Sequence, residues 1–415
     1  MPIATKPEFA THLSVEQARS RILELAAKKR MESESVDLDN ALGRVLAADL
    51  IAPHDLPPFA NSAMDGYALR GSELPSEGEL RFHVAGVVLA GAGAAPVFAA
   101  GECLRITTGA ALPPFADTVI VKENVRIDGD EIVVRAGERT GSNVRPAGED
   151  YRVGDVAMPA GTCLGPAHLG VLAACGHMQA KVARRPRVAL FVTGDELVPP
   201  DQLLGHGQIH DSNRYTLGAL LRELGIEPGP VAHLRDDPDA LRVALREAAD
   251  RCDVVISSGG VSAGEADFLP GVIAELGTIH FWKVRMKPGM PLLCGEIDGA
   301  LVFALPGNPV STIATFLALV KPALLAMQGA HATGSVPCKA RLATPVVKKH
   351  DRCEFLRARV EARDDGAWWV APLQKQGSGM LRGVVDADVL IVVAEDVREL
   401  PTGAVVDIIP LPGCP

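Results

Sequence analysis

The chain lacks several of the motifs by which common protein classes are identified. It has no Gly-x-x-x-x-Gly-Lys-Ser/Thr phosphate loop and no Gly-x-Gly-x-x-Gly fingerprint, which argues against ATPases and nicotinamide dehydrogenases. No uninterrupted apolar run reaches the roughly 18 residues that a membrane span needs. Residues 1–12 carry no apolar segment of the kind found in signal peptides. We therefore expect neither a membrane protein nor an exported one.

Cysteine usage and charge exclude further classes. The eight cysteines include no Cys-x-x-Cys pair, so we expect reduced, mostly buried thiols in a cytoplasmic protein. His206 and His210 are four residues apart, but Gly205 and Gly207 argue against a metal-binding helix there. A net charge of −10 argues against a general nucleic-acid binder. The length of 415 residues predicts about two to four globular domains.

The first part of the chain predicts one helix followed by β structure. Ser14 and Gln17 form a capping box at the start of an amphipathic helix over 14–30. From about 57 to 149, short β runs alternate with Gly and Pro turns, which is typical of a small all-β domain. Within it, Asp128-Gly129-Asp130 predicts a hairpin turn.

From residue 187 the pattern changes to strands that alternate with helices, which predicts a parallel sheet covered on both faces. A long helix is expected to follow Pro309 and to run to about residue 328. Beyond residue 330 the pattern is β again, with a predicted hairpin around Asp364-Asp365-Gly366. The predicted strands of the α/β region are 187–193, 231–234, 254–257, 279–285 and 301–305.

The segment Val254–Asp267 is the most informative one. An apolar strand ends in a loop of Ser, Gly and carboxylates. Buried parallel strands present backbone amides to a ligand from loops of this kind at their carboxyl ends. Glu265 and Asp267 could hold a hard cation there, although an ordinary strand–turn–helix connection has similar residues. Three other polar groups follow strands or open helices, where free amides favour oxyanions. They are 193–196, 211–213 and 307–311.

Three cations follow at alternate positions. Strand alternation would place Lys283, Arg285 and Lys287 on one face. That face is either a solvated basic surface or an anion site. Because the strand ends in Lys-Pro-Gly beside the loops that favour oxyanions, we favour the anion site.

Carboxylates near these motifs and near Asn61–Ala68 in the β region could bind a metal. They offer only oxygen ligands, which suit Mg²⁺ and not zinc. Asp65 precedes Gly66 and Asp150 follows Gly148 by two residues, so the alternative is that both are simple turn residues. The candidate metal ligands are Asp65, Asp150, Glu196, Asp236, Asp237 and Asp267.

In this order the motifs resemble those of the molybdopterin molybdenumtransferases, the MoeA family, which includes the C-terminal part of gephyrin. The resemblance extends over essentially the whole chain. The motifs that carry it are Asn61–Ala68, Thr193–Leu197, Ser257–Asp267, Lys287-Pro288-Gly289 and Leu305–Ser311.

The resemblance implies a multidomain α/β plus β fold. Its centre would be a three-layer, molybdopterin-binding α/β domain with a parallel-rich sheet, over 184–330. The other domains would be a discontinuous N-terminal helical/β domain from 1–56 and 150–183, an inserted β domain over 57–149, and a C-terminal β-barrel-like domain over 331–415. An elongated homodimer is also implied, in which the inserted domain reaches across so that the two subunits share each active site.

The implied reaction is the Mg²⁺-dependent insertion of molybdate into adenylyl-molybdopterin, which releases AMP and forms molybdenum cofactor. Both substrates are anions, so neutralising their charge matters more than covalent catalysis. The molybdopterin adenylyltransferase and downstream cofactor-handling proteins are possible partners; nucleic acid and membrane are not expected.

The loops and the resemblance together name the candidate site residues. Those implied for catalysis are Asp65, Thr108, Glu196, Lys283 and Lys287. The substrate-binding loops contribute Ser257, Ser258, Gly259, Gly260, Ser262, Gly307 and Asn308. The resemblance adds Ser311, Arg357 and Ser378 to them.

One position departs from the family pattern. Met290 stands where the family commonly has the second lysine of Lys-Pro-Gly-Lys-Pro. A thioether cannot donate a hydrogen bond to an oxyanion. Weaker molybdate affinity, a compensating cation or a specialised paralogue would each be consistent with this change.

Two other functions use similar domains. Molybdopterin adenylyltransferases consist essentially of the α/β domain alone, so the N-terminal and C-terminal regions here argue against that function. A gephyrin-like scaffold would bind partners without catalysis, but we see no second catalytic domain and no long linker.

Overall fold

The computed structural model describes residues 9–93, 96–262, 267–332 and 338–413. Its largest sheet has seven strands and confirms the predicted parallel-rich α/β architecture. Only the two pairings of Leu293–Ile297 are antiparallel, and neither this strand nor Ala10–Leu13 was predicted. The strand order is Ala10–Leu13, Thr278–Val284, Leu293–Ile297, Ala300–Leu305, Val254–Ser258, Val188–Thr193 and Val231–Leu234.

Helices cover both faces of this sheet because its central strands are apolar on both sides. Val254 and Ile256 belong to the core beneath one helical layer, and Val255 belongs to the core beneath the other. The first layer comprises Val15–Ala27, Asn213–Glu223 and the long helix that begins at Pro309. The second comprises Pro238–Arg251 and Leu269–Leu276.

The long helix is as long and as apolar as a membrane span. The search for an uninterrupted apolar run did not find it because polar residues interrupt the helix. Its segments are Pro309–Thr315, the π-helical Phe316–Val320 and Lys321–Met327. However, 83% of its most apolar window is buried within the protein. It packs against the helix Val15–Ala27 and is a core helix of the α/β region.

A six-stranded sheet forms the inserted β region, and its predicted hairpin is confirmed. Val125–Asp128 and Glu131–Arg135 pair antiparallel around the Asp128-Gly129-Asp130 turn. The strand order is Thr118–Val121, Gly66–Leu69, Glu102–Ile106, Glu79–Val88, Glu131–Arg135 and Val125–Asp128.

The C-terminal strands close into a barrel, since Cys353–Ala362 pairs with both Trp368–Pro372 and Val389–Val393. The pairing with Trp368–Pro372 confirms the second predicted hairpin. The short strand Met286–Lys287 joins the barrel by pairing with Cys353 and Glu354. The order is Met286–Lys287, Cys353–Ala362, Trp368–Pro372, Cys338–Leu342, Val405–Pro410 and Val389–Val393.

Short strand pairs connect the remaining segments, and all are antiparallel except Leu197–Val198 with Ile209–His210. Ser33–Asp37 pairs with Gln179–Ala183, and Leu50–Ile51 pairs with Val156–Met158. These pairings bring together the two segments assigned to the discontinuous domain, whose limits remain a prediction. By contrast, Ala10–Leu13 and the helix after it pack with the α/β sheet. The other short elements are Asn61–Ser62 with Val144–Arg145, Leu197–Val198 with Ile209–His210, Val346–Val347 with Glu399–Leu400, and the helices Leu38–Asn40, Gly71–Glu73, Lys122–Asn124, Pro166–Ala174 and Arg382–Val385.

Candidate functional site

A cavity of about 900 Å³ opens at the carboxyl edge of the seven-stranded sheet. Loops that follow the strands Val188–Thr193, Val254–Ser258 and Ala300–Leu305 line it, together with the start of the helix Asn213–Glu223. This is where ligands of open α/β sheets bind. The predicted site residues that line it are Glu196, Asp236, Ser258, Gly259, Gly260, Ser262, Asp267, Gly307 and Asn308.

Glycine allows these loops to approach one another closely. Gly259 has a φ of 98°, and a Cβ atom there would lie 2.4 Å from the carbonyl oxygen of Thr193. No other residue type fits this position without displacing the neighbouring loop. Gly307 and Asn308 precede the long helix, for which Asn308 is the N-cap residue. The loop of Gly259 and the start of the long helix therefore border the same cavity.

Carboxylates gather on one side of the cavity. The pKa of Asp236 is raised, first by burial and then by the negative charge of Asp195, with smaller contributions from Glu196 and Asp267. Like charges held together in this way favour binding of a cation. Glu265 lies outside the described residues. Asp237 is placed differently, since it caps the helix Pro238–Arg251 by accepting from the amides of Asp239 and Ala240.

Three buried polar atoms near the cavity have no hydrogen-bond partner among the described residues. They are Thr193 Oγ1, Asn213 Oδ1 and Ser257 Oγ. Buried polar atoms without a partner are rare in folded proteins. Ser257 itself is 1% exposed and lies behind the cavity wall. Such atoms at the carboxyl edge of the sheet indicate a region built for a ligand.

The three cations do not share one face, so the prediction from strand alternation was wrong. Lys283 has a φ of 68°, which breaks the extended conformation. Its ammonium group lies over the Trp282 ring, 4.8 Å from the centroid. Arg285 instead pairs with Glu395 at 2.7 Å.

Lys287 is engaged by a carboxylate of the C-terminal barrel. Its Nζ atom lies 2.9 Å from Glu354 Oε1, and the Glu354 side chain is 9% exposed. His350 Nε2 lies 3.4 Å from the same oxygen. Neither Lys283 nor Lys287 is among the described residues that line the cavity.

Arg357 has a different place from the one expected for an oxyanion ligand. It is 1% exposed and donates to the carbonyl oxygens of Lys375, Gly377 and Met380. These bonds occupy most of the guanidinium, so its direct contact with an oxyanion is not supported. Arg357 instead holds the loop that contains Ser378, whose neighbours Gly379 and Leu381 line the cavity.

Two serines expected to bind substrate are set back from the cavity. Ser311 is 3% exposed inside the long helix. The backbone carbonyl of Ser378 accepts from the amide of Val310, which fixes the barrel loop to the start of that helix.

A cation lies beside the position that departs from the family pattern. Arg352 Nη1 is 3.9 Å from Met290 Sδ. Of the three consequences considered for Met290, this geometry favours a compensating cation.

Asp65 and Thr108 form a separate polar group on the inserted sheet. Asp65 Oδ1 accepts from the amide of Thr108 at 2.8 Å and from its hydroxyl at 2.9 Å, while Lys122 lies 3.8 Å from Oδ2. The bonds from Thr108 lower the pKa of Asp65, with a smaller contribution from Lys122. Asp150 is exposed in a turn, and its amide donates to Leu56. None of these residues lines the cavity in the described part of one chain.

Two residues that organise the cavity were not named as site residues from the sequence, although the polar group 211–213 contains Asn213. Asn213 Nδ2 donates to Ser258 Oγ at 2.9 Å and to the carbonyl oxygen of Gly307 at 2.7 Å, so it links two ligand loops. Its position at a helix start after a strand was the available signal. Trp282 Nε1 donates to the carbonyl oxygen of Val261 at 3.1 Å, which no local pattern indicates.

Comparison with known families agrees with this architecture. Residues 13–176 match the family profile described as "MoeA N-terminal region (domain I and II)", and residues 339–411 match "MoeA C-terminal region (domain IV)". Residues 189–326, which surround the cavity, match "Probable molybdopterin binding domain".

Relatives and solved structures cover almost the whole chain. The molybdopterin molybdenumtransferase of Haemophilus influenzae is 36% identical over 96% of this chain and 98% of its own. That of Staphylococcus aureus (strain COL) is 32% identical over 96% and 95%. The crystal structure of a molybdopterin biosynthesis moeA protein from Pyrococcus horikoshii OT3 superposes with a TM-score of 0.82 at 30% identity, covering 96% of this chain and 99% of that one. The chain belongs to the MoeA family, whose curated members are named molybdopterin molybdenumtransferases.

Proposed function

We propose that this protein is a molybdopterin molybdenumtransferase that inserts molybdate into adenylyl-molybdopterin and releases AMP. The observation that carries this proposal is the cavity at the carboxyl edge of the sheet, within the segment that matches a molybdopterin-binding profile. Its volume suits a nucleotide-sized ligand. Because the substrate must arrive adenylylated, a molybdopterin adenylyltransferase would act immediately before this enzyme.

The cavity chemistry supports an anionic ligand held with a metal ion. Gly260, Ser262 and Asn308 line the cavity with polar groups that suit phosphate oxygens. The amides of Gly259 and Val310 already donate to the carbonyl oxygens of Leu305 and Ser378. Release of AMP breaks the phosphoanhydride bond, so an oxygen nucleophile, water or an oxygen of molybdate, forms the new bond to phosphorus as AMP leaves. Asn213 would orient Ser258 and Gly307 against the ligand.

Mg²⁺ fits the donor set of the cavity. Glu196, Asp236 and Asp267 offer oxygen atoms. Burial, and then the charge of Asp195 with smaller effects of Glu196 and Asp267, raises the pKa of Asp236. In the described residues, no three such side chains already converge on one point. Phosphate oxygens would therefore complete the shell. When bound, the metal would neutralise charge that develops on the cleaving anhydride.

A second subunit is proposed to complete the site. The cavity lining in the described residues includes four carboxylates, those of Glu196, Asp211, Asp236 and Asp267, but no lysine or arginine. Two anionic substrates need more positive charge than such a cavity offers. Asp65, Thr108 and Lys122 form an exposed group on the inserted sheet that could enter the cavity of a partner subunit.

A cytoplasmic location is proposed as well. The seven cysteines of the described residues are all free thiols, which suits a reducing compartment.

The decisive experiment measures AMP release from adenylyl-molybdopterin with and without molybdate. Molybdate-dependent release would support the proposed reaction. Synthesis of adenylyl-molybdopterin from ATP would instead identify an adenylyltransferase. If the protein showed neither activity, the scaffold function would be the one that remains.

Subunit exchange tests the shared site. Asp65→Ala and Lys287→Ala homodimers are each expected to be nearly inactive. A mixed dimer would have one site with both defects and one with neither, so about half of the wild-type activity per dimer should return. Inactive mixtures in which mixed dimers are shown to form would place both residues in a site within one chain.

A further inference from the structure

Trp282 links two separated parts of the α/β sheet. Two strands, Leu293–Ile297 and Ala300–Leu305, separate its strand, Thr278–Val284, from Val254–Ser258 in the sheet order. Its indole nitrogen nevertheless donates to the carbonyl oxygen of Val261 at 3.1 Å. Val261 is 1% exposed and belongs to the loop that follows Val254–Ser258 and lines the cavity. One side chain thus anchors the middle of the ligand loop.

The same ring carries Lys283. Lys283 Nζ lies 4.8 Å from the Trp282 ring centroid, within the range of a cation–π contact. Side chains of successive strand residues point to opposite faces, so this contact needs a break in the strand. The φ of 68° at Lys283 provides that break, at a backbone conformation that residues other than glycine rarely adopt.

Packing on the remaining side holds the indole in place. The Phe9 ring lies 6.4 Å from the Trp282 ring at an interplanar angle of 48°. Both residues pack against the core of Val255, Val302 and Leu293. The indole is therefore fixed between a core, a loop carbonyl and a cation.

We propose that Trp282 is a positioning residue that sets Lys283 and the loop 258–262 in one arrangement toward the anionic substrate. This inference rests on the proposed function for the identity of the substrate. Trp282 need not touch the substrate, because it acts through the Val261 carbonyl and the Lys283 ammonium group.

The test uses Trp282→Phe in the full-length protein. Phenylalanine keeps an aromatic face for Lys283 but has no N–H to donate to Val261. Trp368→Phe is the matched control, since Trp368 is 57% exposed in the C-terminal barrel. Hydrogen exchange of peptides that cover 254–262 is measured without ligand, and AMP release is measured against adenylyl-molybdopterin concentration.

Loss of this hydrogen bond should speed exchange of the loop amides about fivefold, since one such bond contributes roughly this factor to an equilibrium. KM for adenylyl-molybdopterin should rise by about the same factor, while the control changes neither quantity. Lys283→Met should lower kcat and leave loop exchange unchanged. Unchanged exchange in Trp282→Phe would overturn the anchoring role, and faster exchange with unchanged KM would overturn the coupling to substrate.

Two further measurements separate failure of this inference from failure of the proposed function and from failure of the variant to fold. If the wild-type protein releases no AMP with molybdate, the proposed function fails, whereas the exchange result still decides whether Trp282 anchors the loop. If Trp282→Phe does not fold, the double variant Trp368→Phe/Trp369→Phe leaves Trp282 as the one tryptophan of the three in the sequence. AMP binding should then change its fluorescence, and an unaltered emission would overturn the proposal.

Discussion

The buried polar groups at the two ends of the strand Val254–Ser258 differ in whether side chains of the protein pair with them. At the amino end, Asp253 accepts from Arg184 Nη1 at 2.8 Å and from the amide of Arg187 at 2.7 Å. Burial alone would raise the pKa of Asp253, but the hydrogen bonds from Arg184 and Arg187 lower it far below its usual range. The carboxylate of Asp253 is therefore neutralised by the guanidinium groups of Arg184 and Arg187.

At the carboxyl end, buried polar groups lie near carboxylates of like charge and not beside paired arginines. Ser257 Oγ is buried and, within the described residues, has no partner. Burial and the neighbouring carboxylate of Asp195 raise the pKa of Asp236. The comparison separates two kinds of polar cluster: Asp253 is paired by side chains of the protein itself, whereas the groups at the carboxyl end are those for which we propose a bound ligand.

Removing divalent cations should have the largest effect and act at the carboxyl end only. If Mg²⁺ offsets the carboxylates around Asp236, a chelator should abolish AMP release, and Mg²⁺ or Mn²⁺ should restore it. Stability in urea should change little, because the Asp253 cluster needs no metal. Full activity in chelator, or rescue by zinc alone, would contradict the oxygen-ligand site.

Lys287→Ala should lower molybdate-dependent turnover by about 10²-fold, the range for a lost electrostatic stabiliser. Lys287 combines features of both clusters, because it is a proposed site residue that is already paired with a carboxylate, that of Glu354. Removing the lysine therefore also leaves a carboxylate that is 9% exposed without its cation.

The double variant Lys287→Ala/Glu354→Gln separates the two consequences. It should recover the stability lost in Lys287→Ala, as measured by urea unfolding, but not the turnover. Near-normal turnover in either variant would remove Lys287 from the site.

Asp253→Asn should destabilise the fold by about 2–3 kcal/mol, because two guanidinium groups lose the charge between them. Urea unfolding monitored by far-UV circular dichroism measures the change. The folded fraction should keep its wild-type turnover, since the amino end lies at the opposite edge of the sheet. A matching loss of turnover would show that the two ends are not independent.

Asp236→Asn should have the smallest effect on stability. It should stabilise the fold, whereas Asp253→Asn should destabilise it. A carboxyl whose pKa is raised in the folded state favours folding when protonated, so stability falls as pH rises above its ordinary value of 3.8. Without Mg²⁺ the variant should be more stable than the wild type at neutral pH. Because Asp236 is partly exposed, solvent screening keeps the gain below about 1 kcal/mol. Equal stability of the two proteins from about pH 4 to 7 would argue against the charge cluster.

Sequence predicted much of the fold but less of the site. Apolar strands such as Val254–Ser258 and the Ser14–Gln17 capping box follow local rules, and both are confirmed. The alternation of Lys283 and Arg285 failed because one backbone angle at Lys283 broke the strand. The bonds of Arg357 to a distant loop depend on tertiary packing, which no local pattern records.

The edge strand Ala10–Leu13 has a consequence for synthesis of the protein. It and the helix Val15–Ala27 leave the ribosome early, but their partner strand Thr278–Val284 is translated much later. Lys29 and Glu296, which pair at 2.8 Å, are 267 residues apart in the chain. Until the later segment emerges, the apolar face of Ile22 and Leu25 has nothing native to pack against. Non-local closure of this kind slows folding and leaves the nascent chain open to aggregation until the later strands are made.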